Sequence, residues 1–264
     1  MKIKKHITAL ATAAALSATL PAVAQQSQHM APETMLSLAR VGASALSPDG
    51  KTVVYSVGFP SIKDNKIRTE LFTISSDGSA RRQITQGVAG VHGARWIQQG
   101  RRISYISSES GAPQVWTMAP DGTDRRQVTN IEGGLSDYLF SPDEKQLAYI
   151  KEISFGKSTK EIYPDLPKAT GRIVTDLMYK HWDEWVETIP HIFIAPVGGE
   201  AITGGKDILE GEPYEAPTKP FGGAEELSWS PDGKILAYSS RKKTGMEYSL
   251  STNTDIYLYD LASG

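Results

Sequence analysis

The chain has 264 residues, 39% hydrophobic and 22% charged, which is enough apolar surface for a packed core and an ordinary charge content for a globular protein. A net charge of −2 argues against nucleic acid as the main partner. The absence of cysteine excludes disulfides, zinc–thiolate sites and thiol nucleophiles together.

Residues 1–24 read as a signal peptide. Lys2, Lys4 and Lys5 form a positive start, Ile7 to Leu20 an apolar stretch, and Ala22-Val23-Ala24 a small-x-small cleavage pattern. The apolar stretch, at about 14 residues, is too short to cross a bilayer of about 30 Å as a helix. Cleavage leaves 25 basic against 30 acidic residues, a net of −5. Export without disulfides points to a Gram-negative periplasm, with no membrane contact after cleavage. An N-terminal segment, 25–45, follows, with a short helix expected near 32–40.

From residue 46 the chain repeats itself. The unit opens as Ala45-Leu-Ser-Pro-Asp-Gly-Lys51 followed by Thr-Val-Val-Tyr-Ser56, and returns at Ala94–Ile106, Tyr138–Ile150 and Leu227–Ser239. A second half follows in three copies: Glu70-Leu-Phe-Thr-Ile74 turns at Asp77-Gly78 into a fourth strand Arg82-Gln-Ile-Thr85, Gln114-Val-Trp-Thr-Met118 at Asp121-Gly122 into Arg126-Gln-Val-Thr129, and His191-Ile-Phe-Ile-Ala195 at Gly198-Gly199 into Ala201-Ile-Thr203. In the Ser-Pro-Asp-Gly turn Pro presets φ, Asp bonds its own backbone and Gly takes the positive φ. Alternation such as Val53/Tyr55 and Leu147/Tyr149 marks half-buried strands. Two hairpins every 44 to 50 residues or so make one blade of a β-propeller, and a blade cannot bury its own faces without neighbours. The expected blades are 46–85, 94–129, 137–204 and 227–264, an all-β propeller that is incomplete, with the last blade short of a strand. The Arg pairs at 81–82 and 125–126 recur at equivalent hairpin ends, which favours a solvated role over a phosphate-binding stripe. The Ser-Pro-Asp-Gly-Lys form resembles the WD40-like repeat of TolB and of prolyl oligopeptidase propellers, and it is nearly silent about function.

The third blade is interrupted by an insertion at 151–190. It begins with the Pro-stiffened Tyr163-Pro164-Asp165-Leu166-Pro167. Val174, Leu177, Met178, His181, Trp182, Trp185 and Val186 then fall at helical spacing, which predicts an amphipathic helix over 172–187. Asp183 and Glu187 are like charges four residues apart, unfavourable unless a cation sits between them.

Ile162-Tyr-Pro-Asp-Leu-Pro167, Asp176-Leu-Met-Tyr-Lys-His-Trp-Asp-Glu-Trp185 and the opening Ala31-Pro-Glu-Thr-Met-Leu-Ser-Leu-Ala-Arg-Val41 resemble the dipeptidyl-peptidase-5-like members of the prolyl oligopeptidase family. The resemblance implies a propeller capping a C-terminal α/β-hydrolase domain, with peptide substrates reaching a Ser-Asp-His triad between the two. It makes this chain the N-terminal propeller portion of a longer serine peptidase, without activity of its own. No triad residue can be placed here: the family's nucleophile sits in a Gly-x-Ser-x-Gly elbow, and Gly42-Ala-Ser-Ala-Leu46 lacks the second glycine. His6, His29, His92, His181 and His191 read as structural. No pair of them has metal-ligand spacing on one element, and no cofactor is implied. An enzyme that removes dipeptides must measure distance from the substrate α-ammonium, and Asp183, Glu184 and Glu187 are the candidate carboxylates for that contact. An acylaminoacyl peptidase of the same fold, or a non-catalytic TolB-like binding propeller, are the competing readings.

Overall fold

The computed structural model describes residues 30–264; the signal segment 1–24, with His6, and His29 lie outside the described residues. The short helix expected near 32–40 is α1, Pro32–Ser37, with proline at its first turn. Four antiparallel sheets follow in sequence. The first holds β1 (Arg40–Leu46), β2 (Thr52–Ser61), β3 (Lys66–Ser75) and β4 (Arg82–Gln83). The second holds β5 (His92–Ile97), β6 (Arg102–Ser107), β7 (Gln114–Met118) and β8 (Arg126–Gln127). In the third, β9 (Asp137–Phe140) and β10 (Gln146–Ser154) are separated from the outer pair by the insertion, which contains α2 (Thr159–Ile162), β11 (Lys180–His181) and β12 (Glu184–Trp185). That outer pair is β13 (Thr188–Pro196) and β14 (Lys206–Asp207). The fourth sheet has β15 (Leu227–Trp229), β16 (Ile235–Ser240) and, after α3 (Gly245–Leu250), β17 (Asp255–Asp260).

The turns explain why these strands pair in register. In the first blade the Ser47 hydroxyl donates to Asp49 at 2.6 Å, Asp49 accepts the Lys51 amide at 3.1 Å, and Ser47 Oγ accepts the Thr52 amide at 2.9 Å. Ser141/Asp143 and Ser230/Asp232 repeat the same three bonds. Gly50 sits at φ +72°, where a side chain is unwelcome, while the third copy places Glu144 there at +56°. The second blade has lost the motif, and Gln98 and Gln99 make its turn with φ near +52° and +55°.

Each blade buries one face against the next. Val54, Leu71 and Ile84 pack on Ile103, Tyr105 and Met118. Ile106 and Val115 pack on Tyr138, Leu147 and Tyr149, and Ile150, Ile192 and Ile194 pack on Leu227, Leu236 and Tyr238. Each such side chain contributes about 1.5–3 kcal/mol by leaving water. Two tryptophans add a directional tie between neighbours: Trp96 Nε1 donates to the Ala45 carbonyl at 3.0 Å, and Trp229 Nε1 to the Leu139 carbonyl at 3.3 Å. A second recurring device sits on the third strand of each of the first three blades. Glu70 accepts the Thr85 hydroxyl at 2.7 Å and the Gly87 amide at 2.8 Å. Gln114 does the same for Thr129 and Ile131, and His191 takes the place in blade three through Asp207 at 2.8 Å.

Three sequence expectations are corrected. The first blade begins at Arg40, six residues before the expected start at Leu46, because β1 pairs with β2 as far as Gly58. The fourth strand of blade three is not Ala201–Thr203. Ile202 forms a parallel bridge with Thr129 of the preceding blade, and the chain returns to its own sheet only at Lys206, where Asp207 reaches His191. The helical insertion is the third. No helix forms over 172–187; the segment is irregular up to the short β11–β12 hairpin, and only α2, capped by Ser158 and Glu161, is helical. Two causes are visible. Gly171 and the β-branched run Ile173-Val174-Thr175 weaken a helix at its start. At the other end, β10 and β13 pair out to Ser154–Thr188, pulling the chain into a strand. The residues outside that ladder are 155–187. Of the expected apolar stripe only Met178 is buried, whereas Val174, Leu177, Trp182 and Trp185 are exposed.

Candidate functional site

Antiparallel order places every loop between second and third strands at one end of the propeller, together with the connections from one blade to the next. Those loops are 62–65, 108–113, 155–187 and 241–254; the Ser-Pro-Asp-Gly turns lie at the opposite end. The insertion therefore rises over the same mouth as the 208–226 connection and α3.

A deeply buried carboxylate at this mouth is Glu215, on the connection between blades three and four, with 1% of its side chain exposed. Its Oε1 accepts the Tyr248 hydroxyl at 2.7 Å and lies 3.5 Å from an Arg241 nitrogen. Its Oε2 is 3.2 Å from His181 Nε2 of β11, and its carbonyl accepts the Ser240 hydroxyl at 2.9 Å. The Arg241 guanidinium stacks on the Tyr248 ring, 3.6 Å from its centroid. Burial, and then the bond to Glu215, push the Tyr248 phenol well above its usual range. Next to this cluster, Lys242 Nζ reaches Glu212 at 2.6 Å over the ring of Tyr257. An isolated buried carboxylate is costly, so three converging donors are what its burial requires. The cluster joins three separate stretches of chain: the insertion through His181, the interblade connection through Glu215, and blade four through Arg241 and Tyr248.

The residues singled out in the sequence fall around this hub without converging on one another. Asp183 lies in the two-residue turn of the β11–β12 hairpin and Glu184 opens β12, opposite His181; both are exposed. Neither has an ion pair among the described residues. Glu187 is exposed and pairs with Arg172 at 2.9 Å. Arg172 also lies 4.7 Å over the ring of Trp185, as does Lys180. A cavity of about 600 Å³ opens within the insertion, lined by Lys157, Arg172, Asp176, Trp185 and Glu187 among others; Asp183 and Glu184 are not part of it. His92 bonds the Gly90 carbonyl region and His191 its Asp207, so both act within the scaffold. Among the described residues no group of three or more metal-ligating side chains is assembled. No described helix is long and apolar enough to cross a membrane. Sequence reasoning passed over Glu215. The only signal was the acidic run Glu210, Glu212, Glu215 in a Gly/Pro-rich connection, which reads as solvated until Arg241 and His181 are placed beside it.

Successive four-stranded antiparallel blades with Ser-Pro-Asp turns and interblade tryptophans define an all-β propeller of the WD40-like, TolB type. Solved structures agree on the fold. The uncomplexed acylaminoacyl peptidase of Pyrococcus horikoshii matches over 86% of this chain and 32% of its own, with a TM-score of 0.56 at 14% identity. TolB from Acinetobacter baumannii matches over 83% of this chain and 40% of its own, with a TM-score of 0.50 at 15% identity. No protein-family model matches the chain. Among curated proteins the chain is similar to dipeptidyl-peptidase 5: it is 63% identical over 237 residues to that of Porphyromonas gingivalis and 51% identical over 239 residues to that of Porphyromonas endodontalis. It is also 25% identical over 262 residues to dipeptidyl-peptidase 5 of Aspergillus fumigatus. The two bacterial matches each cover 90% of this chain and 35% of the relative, so the chain spans about a third of the length of these proteins.

Proposed function

We propose that this chain is the propeller portion of a periplasmic serine exopeptidase that releases dipeptides from peptide N-termini. In this reading the propeller gates substrate to an α/β-hydrolase domain that follows it in the full-length product. The observation that carries it is 63% identity across 90% of the chain to a dipeptidyl-peptidase 5. The mouth supports it physically, because a gate needs a rigid ring and an anchored cover. The insertion is such a cover, tied down by the buried His181–Glu215 contact.

The substrate ammonium is read by a carboxylate of this mouth. Asp183 and Glu184 are the accessible candidates, Glu187 would first have to release Arg172, and Glu215 would have to exchange its present partners. The test is cleavage by the full-length protein of dipeptide reporter substrates with free and with acetylated N-termini. Asp183→Asn, Glu184→Gln, Glu187→Gln and Glu215→Gln are compared on both. Loss of a hydrogen bond to a charged group, worth about 1.5–3 kcal/mol, lowers kcat/KM on free-amino substrates about ten- to a hundredfold. Preference for the acetylated substrate in the unmodified protein would instead make it an acylaminoacyl peptidase. No hydrolysis of either, together with no labelling by a serine-directed phosphonate, would leave a binding propeller.

A further inference from the structure

The β11–β12 hairpin carries an unusual residue at its tip. Trp182 has φ +55°, a left-handed conformation that a bulky side chain adopts only when its surroundings impose it. The preceding residue supplies the anchor, since His181 is fixed to buried Glu215. The consequence is that the indole is held out in solvent, 73% exposed, and meets the ring of Phe221 edge-on, with centroids 5.1 Å apart. Phe221, on the 208–226 connection, is itself 75% exposed. Two large aromatic rings left this open mark a contact surface rather than a core.

The chemistry of the neighbours says what the contact is. Trp185, three residues on, has two cations over its ring, Arg172 and Lys180, each at 4.7 Å. Trp182 has none among the described residues, although tryptophan is the best aromatic partner for a cation. The two residues that follow it, Asp183 in the turn and Glu184 at the start of β12, add negative charge near the hairpin tip without an ion pair among the described residues. An apolar π face beside unpaired carboxylates is complementary to a ligand that is cationic and weakly hydrated.

We propose that the Trp182–Phe221 pair, with Asp183 and Glu184 beside it, is an open aromatic seat for the cationic amino terminus of a peptide. The inference rests on the peptidase reading above and adds to it: the cation is held by a π face as well as by a carboxylate. The ligand is the terminal ammonium rather than a lysine side chain, because it arrives at the mouth of the gate that the hairpin covers.

The two modes of holding a cation differ in one property. A carboxylate alone loses its charge-assisted hydrogen bonds when the ammonium is trimethylated and keeps only the attraction of charge, whereas a π face holds a cation that has no N–H equally well. Full-length protein is therefore assayed on one peptide reporter in three forms: free amino terminus, N-trimethylated amino terminus and acetylated amino terminus. A fourth, acetylated form carries lysine as its second residue. The expected result is that the free and trimethylated forms bind with KM values within about fivefold of each other. Trp182→Ala weakens both by about two- to thirtyfold and leaves the two acetylated forms unchanged, Trp182→Phe recovers part of the loss, and Phe221→Ala gives a smaller loss of the same pattern. Rejection of the trimethylated form as strongly as the acetylated one overturns the seat and leaves the carboxylate reading intact. Equal losses on all four forms also overturn it, since the pair then only positions the hairpin, as does an unchanged Trp182→Ala. A loss confined to the lysine-bearing form would assign the seat to a side chain, against the proposal. If the full-length protein cleaves no form, the peptidase reading itself fails and the seat falls with it.

Discussion

Replacing Glu215 by alanine tests whether the mouth is organised by one buried carboxylate. The substitution removes the acceptor for the Tyr248 hydroxyl at 2.7 Å and the partner of His181 at 3.2 Å. It also strands Arg241, whose side chain is only 12% exposed. Removing one member of a buried pair typically costs about 3–5 kcal/mol. Arg241 keeps its stacking on Tyr248 and a bond to the Ser251 carbonyl, and His181 can turn toward water, so the expected cost falls to about 2–3 kcal/mol, just below that range. For a chain of this size that lowers Tm by about 4–12 °C. Glu215→Gln keeps the shape and one acceptor, and its cost is about 1–2 kcal/mol. The assay is thermal unfolding followed by circular dichroism, paired with limited proteolysis. Because Glu215 holds the insertion through His181, Glu215→Ala should also hasten cleavage within 155–187 relative to the blades. A Tm unchanged to within about 1 °C, with unaltered proteolysis of the insertion, would refute the hub.

The remaining expectations concern the scaffold. Glu70→Gln should cost less than about 1.5 kcal/mol, because Gln114 fills the equivalent place one blade later, whereas Glu70→Leu should cost about 3 kcal/mol or more by leaving Thr85 and the Gly87 amide without their acceptor; chemical denaturation of both variants decides this. Trp229→Phe removes the bond to the Leu139 carbonyl while keeping most of the packing, with an expected loss of about 0.5–1.5 kcal/mol measured the same way. Asp49, Asp143 and Asp232 are held below the usual carboxylate range, first by their serine hydroxyls and then by backbone amides. Their contribution is full above the unfolded value near pH 4 and fades as pH falls through the lower folded values, so acid titration of Tm should show a decline below about pH 4 that is shallower in the Asp→Asn triple variant. The 264-residue chain, which contains no Gly-x-Ser-x-Gly, should release no dipeptide from a chromogenic substrate above a buffer blank.

Much of this architecture was legible residue by residue. The Ser-Pro-Asp-Gly turns act through contacts two to five residues apart, so a repeat in the sequence is a repeat in the hydrogen bonds: Ser47–Asp49, Ser141–Asp143, Ser230–Asp232. Strand alternation is equally local. Val54 and Leu71 face the next blade because side chains alternate along a strand, whatever lies beyond it.

The insertion resisted for the opposite reason. Its apolar spacing fitted a helix over 172–187, yet the chain there is decided by what its ends are joined to: β13 takes Thr188 into a nine-pair ladder, and His181 is drawn to a carboxylate 34 residues away. Ladder bonds and a buried ion contact outweigh a helical periodicity that has no apolar surface to pack on. Ile202 shows the same override on a smaller scale, leaving its own sheet to bridge Thr129 of the preceding blade. Asp183 and Glu184 could be picked out by residue type, but that they share a hairpin with an outward-facing Trp182, and that Glu215 anchors that hairpin, depends on contacts between distant segments. Local chemistry determines the blades; the mouth exists only where three stretches of chain meet, and only the tertiary structure places them together.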